Sequence, residues 1–229
     1  MELNALQVYE ILKGRGVEFL HHANSVQTTC SFLRSGRLMS RGSIISSGLG
    51  QTPQYSDEID KKYGIWFDVF TDTVDIHHRA SRRNIYGPVL LKIKLEILQV
   101  PYMPPLWISK KNPTKWVDGE PLANRWCSSI EELKNQFIKG EFDQMIVFRH
   151  IGGSLPIKEY VSDIILDEPN QEYYGLKFYD LAAGALFSSA GGSGMQITIH
   201  KRVCNYGCKC QIEYSSNPEA VIKYYFPYT

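Results

Sequence analysis

Four polar side chains near the start of the chain are of types that can hydrogen-bond a ligand. Residues 20–42 read LHHANSVQTTCSFLRSGRLMSRG, in which His22 and Asn24 end an apolar run, and Ser40 and Arg41 follow a short helical pattern and a glycine turn. His22 and Asn24 are two positions apart, so on a strand their side chains lie on the same face. A histidine at a strand end is more commonly structural when taken alone. Imidazole, amide, hydroxyl and guanidinium groups all form hydrogen bonds with polar ligands, so the four residues are candidates for binding one.

A second polar group lies between positions 68 and 78. Three acidic residues and two histidines fall within eleven positions, namely Asp68, Asp72, Asp75, His77 and His78. Carboxylates and imidazoles are ligands of divalent metals, so this group is compatible with a metal-dependent nuclease. The same side chains can instead be hydrogen-bonding supports of a nucleotide pocket.

A basic cluster follows directly. Arg79, Arg82 and Arg83 precede Tyr86 by a few positions. A planar guanidinium group can form two parallel hydrogen bonds to a phosphate, so the cluster is a candidate clamp for a diphosphate or for a nucleic acid. Charge clusters of this kind are also common on solvated surfaces. Tyr86 is either a stacking partner for a planar ring or a core side chain that precedes a strand.

Four soft metal ligands lie near the carboxyl terminus, namely His200, Cys204, Cys208 and Cys210. Their number suits tetrahedral zinc. The C-x-C spacing is unusual for such a site, and Asn-Tyr-Gly at positions 205–207 is typical of a hairpin turn. Structural zinc at these four residues is therefore kept as a lesser alternative.

Composition places the chain among ordinary globular proteins. It has 229 residues, 43% hydrophobic and 21% charged, which is enough for a sizeable core. A formal net charge of +1 argues against wrapping long duplexes, which requires many cations to neutralise phosphates. The sequence lacks a secretory hydrophobic segment and an apolar run of the ~20 residues that span a bilayer, and its odd cysteine number favours a reducing compartment. We therefore expect a cytoplasmic protein with no membrane partner.

The elements that position these residues alternate without a strict strand–helix–strand rhythm. In chain order the patterns predict an N-terminal helix at about 6–13, a strand at 17–21, a helix at 26–34 ended by Gly36, a loop over a site at 42–57, an alternating stretch at 63–70, a strand at 88–98 and an irregular proline-rich insertion at 100–124. They then predict a helix at 128–140, strands at 144–149 and 160–166, a helix at 173–186, a glycine-serine linker at 188–194, a hairpin of 196–203 and 210–214, and a strand at 220–226. Such a mixture is typical of an α+β fold, here in a single domain over residues 1–229.

The order of these motifs resembles that of the ADP-ribosyltransferase superfamily, in particular the DarT-type enzymes that modify nucleic acid. The tripeptide His-Ala-Asn at 22–24 stands at the position of the family's His-x-Thr element, with Asn24 in place of threonine. The family's catalytic strand resembles FDQMIVF at 142–148, and its next two segments resemble GSLPI at 153–157 and DIILD at 163–167. In this framework Gln144 stands where the family has its catalytic glutamate.

The resemblance implies a split mixed β-sheet with flanking helices and an NAD cleft over residues 17–167, with residues 168–229 forming a C-terminal helix and hairpin extension. It implies that NAD is a substrate and that ADP-ribose passes to a nucleic-acid acceptor, DNA or RNA, or less favourably to a protein, in a toxin or antiphage defence setting with an antitoxin as partner. This class of transferase needs no metal, so the resemblance favours the interpretation of residues 68–78 as supports of a nucleotide pocket over their interpretation as metal ligands of a nuclease. The implied catalytic residues are Gln144 and Arg79, and the implied NAD-binding residues are His22, Asn24, Ser40, Arg41, Asp68, His77 and Tyr86.

Glutamine at position 144 departs from the family pattern in a way that affects the chemistry. Cleavage of the bond between nicotinamide and ribose creates positive charge on the sugar, which a carboxylate stabilises. Gln144 keeps the shape of glutamate without the charge, and losing one such electrostatic group costs about 10²–10³ in rate. We therefore expect an enzyme with low activity, and we favour the interpretation that Gln144 is an inactivating substitution over one in which glutamine is native. The alternative is a non-catalytic module that binds NAD. Glu141 and Glu159 are lesser candidates for the carboxylate.

Overall fold

The structure is a computed structural model that describes residues 1–79, 85–204 and 207–227, without the side chains of residues 78 and 79. The strands are β1 (Phe19–Asn24), β2 (Arg37–Met39), β3 (Val69–Thr71), β4 (Val89–Lys94), β5 (Trp107–Ile108), β6 (Ile146–Phe148), β7 (Ser154–Pro156), β8 (Val161–Asp167), β9 (Glu172–Tyr173), β10 (Leu176–Lys177) and β11 (Thr198–Arg202). The α-helices are α1 (Ala5–Gly14), α2 (Val26–Ser35), α3 (Arg41–Ser46), α4 (Asp57–Lys62), α5 (Ile76–Arg79), α6 (Leu122–Arg125), α7 (Ile130–Gln136), α8 (Phe178–Ser193), α9 (Lys209–Ser216) and α10 (Pro218–Tyr225). Two 3₁₀ helices span Leu95–Gln99 and Pro113–Lys115.

A four-stranded mixed sheet, in the order β1-β4-β8-β11, forms the centre of the fold. β4 lies antiparallel to both β1 and β8, whereas β11 lies parallel to β8. The successive residues Leu90 and Leu91 are both buried, so both faces of β4 are covered. The strand predicted at 88–98 is confirmed only as far as Lys94. Beyond it the chain forms the first 3₁₀ helix, which packs against α1.

A second, three-stranded sheet in the order β3-β6-β5 joins the first at one point. His21 of β1 and Asp72, just after β3, exchange two backbone hydrogen bonds of 2.8 Å. The next side chain on β1, that of His22, lies on the opposite face from His21. The contact between the two sheets therefore fixes the strand that carries the predicted ligand-binding histidine.

Helix α2 confirms the helix predicted at 26–34 and shows why it begins and ends there. The Ser25 hydroxyl accepts a hydrogen bond from the Thr28 N–H, which is the usual side-chain cap of a helix start. Gly36 ends the helix in the left-handed conformation with φ of 63°. Residues 26–33 are all buried, because α2 packs against α8 within the main core.

The C-terminal quarter differs most from the sequence-based prediction. The predicted helix at 173–186 begins only at Phe178, after the short β9–β10 hairpin, and it continues through the predicted linker to Ser193. The linker prediction is wrong because the small residues Ser189 and Ala190 are buried on α8, in the helix that packs against α2. Small residues such as serine and alanine are typical of flexible linkers, but here they allow α8 to pack closely against α2.

The predicted hairpin and final strand are also replaced by helices. Only β11 of the hairpin forms, and Cys210 to Tyr214 belong to α9. The prediction of a strand at 220–226 is wrong, because residues 220–225 belong to α10. The Asn217 side chain caps this helix by accepting from the Ala220 N–H at 3.2 Å, and Pro218 lies in its first turn. Asparagine followed by proline is a helix start signal, and it outweighs the β-branched residues that follow.

The predicted α+β class, with a mixed sheet and flanking helices, is confirmed. A shorter helix, α7, occupies the stretch predicted at 128–140, and β6 and β8 occupy those predicted at 144–149 and 160–166. Within the described ranges, the structure has no helix that is long and apolar enough to cross a membrane.

Candidate functional site

A cleft lies beside the junction of the two sheets and collects side chains from distant parts of the chain. Six of the predicted ligand-binding residues line it: His22, Asn24, Ser40, Arg41, Asp68 and Tyr86. They come from β1, from the loop between β2 and α3, from the approach to β3 and from the approach to β4. The main part of the sequence-based site is therefore assembled in space.

His22 is held as a neutral imidazole. Its Nδ1 lies 2.8 Å from the Phe70 carbonyl oxygen, which can only accept, so Nδ1 carries the proton and Nε2 is an acceptor. The Asn24 side-chain amide lies 3.3 Å from that Nε2 and can donate to it. Burial lowers the pKa of His22 to about 4, and the nearby positive charge of Arg41 adds to the effect. The ring therefore acts as a fixed hydrogen-bonding group at neutral pH.

Asn24 is fixed by the loop that covers it. Its Oδ1 accepts from the Ser25 N–H at 2.9 Å and from the Gln54 side-chain amide at 3.2 Å. Gln54 belongs to the 42–57 segment predicted as a loop over a site. That segment also includes most of α3 and contributes Gln54 and Ser56 to the cleft lining.

Arg41 is both tightly bound and incompletely satisfied. Its Nε and Nη2 each donate to one oxygen of the Asp57 carboxylate at 2.8 Å, and Nη2 also donates to the Thr52 carbonyl at 2.9 Å. Its Nη1 is buried and has no hydrogen-bond partner among the described residues. A buried guanidinium N–H beside a cleft is a donor for a ligand oxygen. Ser40 has a structural role here, because its hydroxyl caps α3 by accepting from the Ser43 N–H.

Two carboxyl groups in the cleft are harder to ionise than usual. Burial raises the pKa of Asp60 to about 7, and the negative charge of Asp57 adds to the effect. Burial also raises the pKa of Asp68 to about 6, although the Arg149 guanidinium lies 2.8 Å away and opposes the shift. Asp68 is thus an ion-paired support of the cleft, whereas Asp60 changes its charge near neutral pH.

Gln144 does not line the cleft. Its Oε1 accepts from the Ile138 N–H at 2.8 Å, and its Nε2 donates to the Gln136 carbonyl at 2.9 Å. β6 begins only at Ile146, so the predicted strand position of Gln144 is wrong: the residue ends a turn closed by a hydrogen bond to the Glu141 carbonyl. The neighbouring side chains of Phe142 and Met145 do reach the cleft.

His77 and Arg79 also differ from the other predicted site residues. Ile76 lines the cleft, and because successive helix residues are rotated by about 100°, His77 on α5 points elsewhere, toward three cysteines. The side chain of Arg79, like the whole of Arg82 and Arg83, lies outside the described residues, and its catalytic role stays a prediction.

The ligand set of the alternative metal-dependent nuclease is not brought together. Asp68 and Asp72 line the cleft, but Asp75 pairs with Arg202 and His77 faces the cysteines. The side chain of His78 lies outside the described residues. In the described part of the chain, the groups of three or more close metal ligands all contain His77 and at least one cysteine.

Sequence reasoning missed several residues of the cleft. Asp60 lies in the segment DEIDKK, whose charge pattern is typical of a solvated helix. Phe142 and Gln54 belong to no motif that indicates ligand binding. The only sequence signal is that Phe142 lies in the predicted catalytic strand segment and Gln54 in the loop predicted over the site. Glu141 and Glu159, the lesser carboxylate candidates, are exposed and do not line it.

No protein-family model matches the chain, and no curated protein matches it significantly.

Proposed function

We propose that the chain binds NAD in this cleft and that it is an ADP-ribosyltransferase acting on nucleic acid, weakened by glutamine at position 144. One observation carries the proposal. Residues chosen from the order of sequence motifs, spread between positions 22 and 86, lie around a single cleft. Core packing alone does not require a histidine, an asparagine, an arginine and a tyrosine from these segments to meet.

Arg41 supports the binding of a diphosphate. Its Nη1 is a buried donor with no partner among the described residues, on a guanidinium fixed by Asp57 and Thr52. Leaving a charged donor unpaired is costly, so an anionic oxygen that reaches Nη1 gains a charge-assisted hydrogen bond without ordering the side chain. The two phosphates of a dinucleotide supply such oxygens.

His22, Tyr86 and Phe142 support the binding of the two ends of a dinucleotide. The Nε2 of neutral His22 is an acceptor, and a ribose hydroxyl can donate to it in place of the Asn24 amide. Tyr86 and Phe142 offer aromatic rings in the cleft lining, and planar bases stack on such rings. The cleft therefore offers a phosphate donor, a ribose acceptor and stacking surfaces.

The proposed reaction breaks the bond between the ribose C1′ and the nicotinamide nitrogen. The electron pair leaves with nicotinamide, and an acceptor nucleophile then bonds to C1′ and loses its proton. A carboxylate near the ribose stabilises the positive charge in between. The described carboxyl groups in the cleft are those of Asp60, Asp68 and Asp72. Because Asp68 is paired with Arg149 and Asp60 is half protonated near pH 7, we expect slow turnover by the chain as it stands.

A glutamate at position 144 should increase turnover. Its carboxylate could still accept from the Ile138 N–H, but it could not donate to the Gln136 carbonyl and would be repelled by that oxygen. The side chain would then be less firmly held outside the cleft, beside Phe142 and Met145, which line it. The proposed role of position 144 is therefore a carboxylate that turns in toward the ribose.

The acceptor rests on the family resemblance. The lysines at 110, 111 and 115 do not form an open phosphate-binding patch, because they pair with Glu132, Glu120 and Asp143 respectively. The side chains of the other basic cluster, Arg79, Arg82 and Arg83, lie outside the described residues, and their contact with a nucleic acid stays a prediction. A toxin or antiphage role and an antitoxin partner belong to the same proposal.

Nicotinamide release tests the reaction. The chain as it stands and its Gln144→Glu variant would be incubated with NAD and with single-stranded DNA, duplex DNA, RNA or a protein mixture, and each acceptor would be weighed by mass spectrometry. We expect at least a tenfold faster release by Gln144→Glu, with one ADP-ribose added to a nucleic acid. Gln136→Glu, an exposed change at the last residue of α7, whose backbone carbonyl accepts from Gln144, is the matched control and should leave release unchanged. Addition to protein alone would overturn the choice of acceptor.

A non-catalytic NAD-binding module is the second candidate. The position of Gln144 favours it, because both polar atoms of its side chain are engaged with backbone outside the cleft. Saturable NAD binding with no nicotinamide release from either form would select this function over the transferase.

A further inference from the structure

A histidine and three cysteines from two distant parts of the chain meet behind the cleft wall. His77 lies on α5, Cys204 follows β11, and Cys208 and Cys210 lie at the start of α9. The Sγ atoms of Cys204 and Cys208 are 3.8 and 3.6 Å from the His77 Nε2, and the Cys210 Sγ is 3.9 Å from its Nδ1. The ligand atoms of His77, Cys208 and Cys210 all lie within 4.8 Å of one another.

The distances of the Cys204 and Cys208 Sγ atoms from the single nitrogen Nε2 are close to those between two ligands of a tetrahedral zinc centre, whereas the Cys210 Sγ lies beside the other ring nitrogen, Nδ1. With Zn–S bonds of about 2.3 Å and Zn–N bonds of about 2.0–2.1 Å, the ligand atoms lie about 3.5–3.8 Å apart. Three thiols and one imidazole form a ligand set that is common in structural zinc sites. Cys204 and Cys210 are buried and Cys208 is half-buried, and none of the three forms a disulfide.

The surroundings hold the ligands in place. The Asp75 carboxylate accepts from the backbone N–H of His77 at 2.9 Å and also pairs with Arg202, two residues before Cys204. Arg202 pairs in addition with Asp167, whose carboxylate lies close to His77 and Cys204. One arginine thus links the strand that ends near Cys204 with the helix that carries His77, and so holds two of the ligands in a fixed relation.

His200 does not belong to this group, although its position in the sequence suggested that it would. It is an exposed residue of β11, with its ring Nε2 2.6 Å from the half-buried Asp163 carboxylate on β8. His200 lies opposite Ile165 of β8, and Asp163, two residues before Ile165, is on the same face of the sheet and within reach of the His200 ring. His77, 127 positions from Cys204, takes the fourth place.

We propose that His77, Cys204, Cys208 and Cys210 bind one structural zinc ion in a tetrahedral site. On binding, the three thiols release their protons and the sulfur atoms coordinate the metal as thiolates, while the imidazole coordinates through one nitrogen. The ion joins α5 to the start of α9. Since Ile76 lines the cleft and His77 is the next residue, the site fastens one wall of the cleft to the C-terminal helices.

Metal content and cobalt spectra test the proposal independently of any activity. The full chain, purified with zinc in the medium, should contain one zinc per molecule by elemental analysis. After exchange with Co²⁺ it should show the intense visible bands of tetrahedral cobalt and a sulfur-to-cobalt charge-transfer band. Less than 0.2 zinc per chain together with no tetrahedral cobalt spectrum would overturn the site, whatever the variants do.

Matched variants identify the ligands. Cys208→Ser should weaken Co²⁺ binding at least tenfold, whereas Cys127→Ser, at a buried cysteine remote from the group, should not. His200→Ala should bind Co²⁺ as the parent chain does, and His77→Cys should keep a tetrahedral spectrum with a stronger sulfur-to-cobalt band. Loss of binding in His200→Ala with full binding in His77→Ala would overturn the assignment of His77.

Discussion

At the scale of a single residue, Arg41 has the feature on which the proposed binding of NAD most depends. Three hydrogen bonds to Asp57 and Thr52 fix its guanidinium, and the remaining nitrogen, Nη1, stays buried without a partner in the described structure. The lysines at 110, 111 and 115 are instead paired with carboxylates. A fixed donor that lacks a partner is the feature expected of a ligand-binding arginine.

Asp60 gives the cleft a predicted pH dependence. Its pKa of about 7 means that the side chain is mainly neutral at pH 6 and negatively charged at pH 8. The charge would repel the phosphates of NAD, so the dissociation constant for NAD should rise about three- to tenfold over that range, on the order of 1 kcal/mol of charge interaction. Calorimetric titration at several pH values measures this dependence.

Asp60→Asn should remove the part of the pH dependence that lies above pH 7, because the amide does not ionise, whereas Asp68, with a pKa of about 6, still gains charge below it. Asp180→Asn, at an exposed position on α8, is the control and should keep it. An unchanged slope in Asp60→Asn would show that another group titrates.

At the scale of the element, β1 owes its position to a close approach of the chain before β4. Gly87 has a φ of 135°, and a Cβ placed there would lie 2.3 Å from the carbonyl carbon of Asn24. Glycine therefore allows the segment that carries Tyr86 to pass directly over the end of β1. The cleft contacts of Tyr86 and Asn24 depend on this packing of two elements.

Gly87→Ala should destabilise the fold through this contact. Either the φ angle or the 2.3 Å approach must change, and the expected loss is about 2–4 kcal/mol in the free energy of unfolding. Gly175→Ala is the matched control, because Gly175 also has a positive φ, of 77°, but nothing within 4 Å of a new Cβ. Urea unfolding of the two variants separates the steric contact from the backbone preference. Equal losses would contradict the account.

Some of these elements could be predicted from local sequence signals and others could not. α2 was predictable because Ser25 and Gly36 mark its ends locally. The first half of α8 was predicted as a helix, but its second half was not, because Ser189 and Ala190 are small residues typical of a linker and are here buried where α8 packs against α2. The direction of the His77 side chain depends on how the four-residue helix α5 is rotated about its axis. The direction of the Gln144 side chain depends on the turn that is closed by the Glu141 carbonyl. Motif order predicted which segments meet at the cleft, whereas tertiary packing decided which side chain of each segment faces it.

At the scale of the whole molecule, α5 connects the two proposed sites. Ile76 faces the cleft between the sheets, and His77 faces the cysteines at the start of α9. The C-terminal helices, which the family resemblance left unexplained, would thus support the wall of the cleft through the metal. This short helix therefore lies between the cleft and the C-terminal helices and contributes a side chain to each.

Calorimetric titration of NAD into the folded chain and into Arg41→Lys tests the central claim most directly. The lysine keeps the positive charge but loses the paired hydrogen bonds to Asp57 and the free Nη1 donor, so the account predicts binding of one NAD per chain that is at least tenfold weaker in Arg41→Lys. Arg34→Lys, on the exposed side of α2, should bind as the parent does. Absence of saturable NAD binding by the folded chain, or equal affinity in Arg41→Lys, would contradict the account.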